Sequence, residues 1–217
     1  MLVAIAIIGG GVGPVLMLYG LRGLSGVAGA LLLNLEAVFT MMLAVTIFGE
    51  RFSAREAMAA VIVLAGAVLV SLHGGPVRGE RMAAMTIALA CLAWAVDNNL
   101  TARLADRNAV DIVQFKAMTA GVGNLILASA TGRALPSLTI IAVAAAVGFV
   151  SYGLSIMLDV YALRYVGAAR ESAYFATAPF AGAIAAIPLL GQGVAYNEAA
   201  GGVVMAAGVA LLIAARR

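Results

Sequence analysis

The 217 residues are 64% hydrophobic and 11% charged, with a mean hydropathy of +1.08. A soluble domain carries about 45–50% apolar and about 25% charged residues, so a water-soluble globular protein is excluded. The net charge of +3 comes from arginines at the ends of apolar runs plus one lysine, which reports membrane topology and excludes a nucleic-acid surface; the single Cys91 and single His73 exclude an internal disulfide and a His/Cys metal site.

In chain order, apolar runs near 20 residues, the length that spans about 30 Å of hydrocarbon, predict an all-α polytopic bundle of about eight transmembrane helices. The first, near 1–21, lacks a basic n-region and a small-residue cleavage pattern, so it reads as a span and not as a signal peptide. The second, near 27–48, places Glu36 at its midpoint, where a carboxyl must be buried in protein, protonated or paired. Asn34 shares a face with Glu36 only if this helix is distorted.

The third run (near 56–72) and the fourth (near 82–101) are short as purely apolar stretches. In the fourth, Trp94, Asp97, Asn98 and Thr101 recur at spacings of three and four, placing an aromatic ring and hydrogen-bonding groups on one face, with Asn99 pointing elsewhere. The fifth, near 110–130, carries Lys116. Counted from the shared end of these two antiparallel helices, Asp97 and Lys116 lie at about the same depth, roughly 8 Å in, which predicts a neutralised pair. That pair serves packing, a solute or a coupling proton.

The sixth run, near 138–163, brings Ser151, Tyr152 and Ser155 to mid-membrane, with Tyr152 and Ser155 on one face. Their hydroxyls suit either a polar solute or a backbone carbonyl. Asp159 is expected to reach Arg164 or water, and Glu171 to pair with Arg170. Pro179 interrupts the seventh run, near 172–190, and frees the carbonyl of Phe175. The eighth spans 198–215. Gly121, Gly123, Gly201, Gly202 and Gly208 are expected at close helix contacts.

With short loops and alternating ends, one side collects Arg51, Arg55, Arg103, Arg107, Arg164, Arg170, Arg216 and Arg217, against Arg22, Arg78, Arg81 and Arg133. The first side is therefore cytoplasmic, as are both chain ends, in a plasma (inner) membrane.

Sliding the chain on itself aligns residues 19–71 with 161–213 without a gap, at an offset of 142, with 11 of 53 positions identical. Tyr19, Leu21 and Arg22 fall on Tyr161, Leu163 and Arg164; Gly49, Glu56, Ala57 and Gly66 fall on Gly191, Glu198, Ala199 and Gly208. The matched helices run in opposite directions, which makes the units inverted, an arrangement that transporters use to build a site between repeats. The expected division is 1–72, three helices, and 82–217, five helices, so the first repeat is two helices short.

The motifs Leu33-Asn34-Leu35-Glu36-Ala37-Val38-Phe39, Gly49-Glu50-Arg51 and Gly66-Ala67-Val68-Leu69-Val70-Ser71 occur in the first unit. The second has Tyr161-Ala162-Leu163-Arg164, Gly167-Ala168-Ala169-Arg170, Ala173-Tyr174-Phe175 and Ala178-Pro179-Phe180. In these the chain resembles the drug/metabolite transporter superfamily, EamA type, whose members have five-plus-five helices. Ala37 stands where that family usually has proline, and Gln192 where it usually has an acidic residue. The resemblance implies a multipass carrier of a small metabolite, by efflux through alternating access at a midplane cavity, without an ATP site or other cofactor.

The expected solute-facing residues are Glu36, Trp94, Asp97, Asn98, Lys116, Tyr152 and Ser155. The alternative is a truncated, non-transporting remnant or an assembly subunit, for which a second copy of the chain is a candidate partner. Neither H-E-x-x-H nor G-x-S-x-G occurs, so an enzyme is not expected.

Overall fold

The computed structural model describes residues 1–49, 51, 53–71, 78–104, 108–132, 136–166, 171 and 174–215. Glu50, Leu72, His73, Arg107, Arg133, Gly167-Ala168-Ala169-Arg170, Ala173, Arg216 and Arg217, all invoked above, lie outside the described residues.

Among the described residues eight helical elements follow one another: α1 (Leu2–Leu21), α2 (Gly26–Thr46), α3 (Ala54–Ser71), α4 (Arg78–Ala102), α5 (Ala109–Ala130), α6 (Leu138–Val166), α7 (Ala178–Leu190) and α8 (Tyr196–Ala215). Seven are long and apolar enough to cross a membrane, and α7 is shorter. The chain is a polytopic, all-α membrane bundle.

The expected 172–190 helix is thus only partly realised, since its regular part begins at Ala178. Proline lacks an N–H and disfavours helical geometry before it, so Pro179 is accommodated in the first turn of α7 and not in mid-helix. A turn at Ala176 and Thr177 precedes it, and Thr177 Oγ1 donates to the Tyr174 carbonyl at 2.8 Å. The expected single helix over 27–48 is likewise broken at Leu33 and Asn34. There Asn34 Nδ2 donates back to the Leu31 carbonyl at 3.0 Å, the local competition with the helix ladder that Asn side chains offer.

Two spans contain π-helical turns, Ile8–Val12 in α1 and Phe149–Leu154 in α6. Their final residues, Val12 and Leu154, are 142 positions apart. The left-handed glycines that end α2 and α7, Gly49 (φ +69°) and Gly191 (φ +60°), have the same separation.

α2 is the most enclosed span, 67% buried. Its Val27, Leu31, Leu32 and Leu35 pack with Val70 of α3, Ile87 and Cys91 of α4, Ala183 and Ala186 of α7 and Met205 of α8. A second apolar cluster joins Val38 and Met41 to Ala59 and Val63 of α3 and to Val209 and Leu212 of α8.

α3 and α8 meet at backbone distance. A methyl on Gly66 would stand 2.8 Å from the Gly201 carbonyl and 3.0 Å from the Met205 nitrogen; one on Gly208 would stand 3.0 Å from both the Ala59 carbonyl and the Val63 nitrogen. Adding 142 to 59, 63 and 66 gives 201, 205 and 208, so the two contacts are exchanged by the offset found in the sequence. As one index rises the other falls, which makes the pair antiparallel. Glu56 and Glu198, again 142 apart, cap their helices in the same way. Glu56 accepts from the Ser53 N–H at 2.7 Å and Glu198 from the Ala195 N–H at 2.8 Å.

Gly201 and Gly208 therefore behave as expected, and a methyl on Gly202 would sit 3.3 Å from Leu31. Gly121 and Gly123 do not, since nothing lies within 4 Å of a methyl added at either. α5, which carries both, is only 11% buried over its span, so their small size meets no neighbouring helix.

Candidate functional site

α1 crosses α4 along a seam of glycines. A methyl on Gly9 would overlap the Asp97 carboxyl, one on Gly13 would meet the Trp94 indole at 2.6 Å, and one on Gly20 would meet Ile87 at 2.7 Å. Sequence reading missed this seam, although Gly9-Gly10-Gly11, Gly13 and Gly20 inside an apolar span are its signal. Pro14 supplies no N–H to the helix ladder behind it. The carbonyls of Gly9 and Gly10 are taken instead by neighbouring helices: Trp94 Nε1 donates to Gly9 at 2.9 Å and Asn124 Nδ2 to Gly10 at 3.1 Å. What Trp94 can offer a solute is therefore its ring and not its N–H.

One turn along α4 from Trp94, the polar residues form a cluster. Lys116 Nζ of α5 lies 2.7 Å from Asp97 Oδ2, and both side chains are more than nine-tenths buried. The depth matching in the sequence thus corresponds to a direct contact. Thr101 Oγ1 donates to the other oxygen, Asp97 Oδ1, at 3.3 Å. A buried ion pair recovers its desolvation cost only when its remaining lone pairs are also satisfied, which Thr101 contributes.

Asn98 turns toward α2, where its Nδ2 donates to Glu36 Oε1 at 2.8 Å. Asn99 faces elsewhere, as expected, donating to the Thr40 and Ala95 carbonyls at 3.0 and 2.8 Å. Two buried polar atoms of α2, Asn34 Oδ1 and Thr40 Oγ1, have no hydrogen-bond partner among the described residues. Thr40 lies one turn after Glu36 on the same helix face.

The C-terminal part of α6 borders α4 and α5 beside the cluster. Glu36 is within electrostatic reach of Asp97, Lys116, Asp159 and the Tyr152 phenol. Asp159 shares a side-chain hydrogen bond with Glu171, not with Arg164 as the sequence suggested; Glu171 is itself buried. The expected Glu171–Arg170 pair involves a residue outside the described ones. Ser151, Tyr152 and Ser155 are exposed, on a span in which no residue of the 18-residue apolar stretch is buried.

Of the seven residues singled out, four thus form two direct pairs, Glu36 with Asn98 and Asp97 with Lys116. Trp94 borders them through α1, and Tyr152 and Ser155 lie on the open α6 face. Among the described residues no group of three or more His, Cys, Asp and Glu side chains is arranged to hold a metal ion. A cavity of about 360 Å³ between α1 and α5 includes none of the seven.

Residues 1–72 and 81–214 match the EamA-like transporter family. An uncharacterized transporter of Methanothermobacter thermautotrophicus is 29% identical over 210 residues, a match covering 93% of this chain and 60% of that protein. The chain therefore spans about three-fifths of this curated relative's length. A solved crystal structure, at 18% identity and a TM-score of 0.63, covers 97% of this chain and 85% of its own and shares the fold.

Proposed function

Because this chain belongs to the EamA-like transporter family, we propose that it is a multipass carrier moving a small metabolite outward by alternating access. The observation that carries this reading is the composition of the buried and half-buried polar cluster. Glu36 comes from the segment 1–72, while Asp97, Asn98 and Lys116 come from the segment 81–214. Ionisable groups at membrane depth cost at least about 2.5 kcal/mol each on insertion scales and mark solute or ion paths. A cluster shared between two halves is where inverted-repeat carriers bind their cargo.

The division into a unit over 1–72 and an inverted unit over 82–217 belongs to the same proposal. The exchanged glycine contacts of α3 and α8 support it. The location, in the plasma (inner) membrane with the C-terminus cytoplasmic, is proposed with it and rests on the eight arginines expected on one side against four on the other. The reading assigns the chain no catalysis and no cofactor.

Reconstitution into proteoliposomes tests the carrier. Uptake or release of some solute from a metabolite panel, lowered by Lys116→Ala, is expected; a folded preparation that moves nothing across the panel overturns the reading. One observation favours a second reading, that the chain acts as a subunit of a larger membrane assembly: no residue in the apolar stretch of α6 is buried. Co-purification of a stoichiometric membrane partner, or of a second copy, would support that alternative.

A further inference from the structure

The two π-helical turns differ in what they carry at equivalent places. At the offset of 142, Gly9, Gly10 and Gly13 correspond to Ser151, Tyr152 and Ser155. In the first turn and at the glycine after it the missing side chains permit contact: methyls there would overlap Asp97 and come within 2.5 Å of Ala120 and 2.6 Å of Trp94. In the second turn and at the residue after it three hydroxyls occupy those places, and all three are exposed.

Elsewhere in the spans Thr46, Ser71, Thr86 and Ser129 each return a hydroxyl to the carbonyl four residues back. Ser151, Tyr152 and Ser155 have no such partner among the described residues. A polar group without a partner is costly in hydrocarbon, so these three point to water or a solute. Thr40 Oγ1, fully buried and without a partner among the described residues one turn from Glu36, is a fourth unsatisfied hydroxyl beside the same cluster.

We propose that Ser151, Tyr152 and Ser155, with Glu36, form a recognition wall beside the polar cluster and select a small amino alcohol over a small anion. The inference rests on the carrier reading and names the substrate class of that site. Its chemistry follows from which groups are already committed. Lys116, the chain's only lysine, is held by Asp97. Glu36 has an Asn98 amide on one oxygen, which leaves acceptor capacity on its carboxyl.

An ammonium group therefore finds a carboxyl, and a hydroxyl finds hydroxyls that both donate and accept. A carboxylate in the same space meets Glu36 and Asp159, and among the described residues of the cluster no cation is left to receive it. The turn at Phe149–Leu154 sets the position of the wall, since one extra residue per turn re-aims the side chains that follow it.

Trp94 is the chain's single tryptophan and borders the cluster, so its fluorescence reports occupancy in full-length protein held in nanodiscs. Ethanolamine and glycolate are the probes. Ethanolamine is expected to bind about tenfold more tightly than glycolate, and Tyr152→Phe with Ser155→Ala to weaken it about five- to tenfold. Should the double variant fail to fold, Ser151→Ala must weaken ethanolamine about threefold.

Equal or stronger binding of glycolate, or unchanged ethanolamine affinity in the folded variants, overturns the wall. Proteoliposome uptake separates the two readings. Ethanolamine that binds with this preference but is not transported leaves the wall standing and removes the carrier. Transport of other solutes, indifferent to Tyr152→Phe and Ser155→Ala, removes the wall and leaves the carrier.

Discussion

Lys116 reaches Asp97 at 2.7 Å from a neighbouring helix, and the two side chains are buried to nearly the same extent. A pair so placed is costly to break from one side only, because the surviving charge stays in a low-dielectric interior. Asp97→Asn or Lys116→Met alone is expected to lower stability by about 3–5 kcal/mol, and the double variant by much less. Unfolding of all four proteins in mixed micelles measures the coupling; additive losses would show that the pair does not act as a unit.

Glu36→Gln keeps the shape of the side chain and an acceptor for Asn98 Nδ2, whose bond to Glu36 is 2.8 Å long. The variant is expected to fold as well as the parent and to lose most transport. Asn98→Leu removes the donor from a half-buried site, with an expected stability loss of about 1 kcal/mol. Thermal unfolding and solute flux, run on both variants, separate the two effects.

Between α3 and α8 the glycines touch backbone, so added volume forces the helices apart. Gly66→Val or Gly208→Val is expected to cost about 1–3 kcal/mol by overpacking. Gly121→Ala and Gly123→Ala, which meet nothing within 4 Å, are expected to be neutral or slightly stabilising. Melting temperatures of the four single variants decide the matter.

A fusion at Ala215 reads topology directly. With the arginine-rich side cytoplasmic, green fluorescent protein attached there should fluoresce and alkaline phosphatase should be inactive. The reverse pattern would invert every span.

Much of this architecture is legible in the sequence because hydrocarbon thickness constrains length so tightly. Seven of the expected runs correspond to helices of spanning length, and two antiparallel helices sharing one loop allowed Asp97 and Lys116 to be matched by depth alone. The interruptions were less accessible. Nothing in the apolar pattern marks the π-helical turns, and the break at Leu33 and Asn34 turns on one side chain, Asn34, bonding back to the Leu31 carbonyl.

Contacts between distant helices, such as Glu36 with Asn98 or Asp159 with Glu171, require the order of helices in the bundle, which spacing along one helix does not contain. The glycine seam of α1 was visible as composition but not as a contact. At Gly121 and Gly123 similar composition carries no contact at all.

Pro14 withholds one N–H from α1, and the helix's Gly9 and Gly10 carbonyls accept from side chains, Trp94 and Asn124, that are synthesised much later. While the ribosome is still making the middle of the chain, the first helix must wait with an incomplete backbone in a solvent that offers no replacement bonds. Its final seating is therefore a late event, coming only after α5 has entered the bilayer. Arresting translation before Asn124 emerges should leave the earliest-made segment the most exposed to protease.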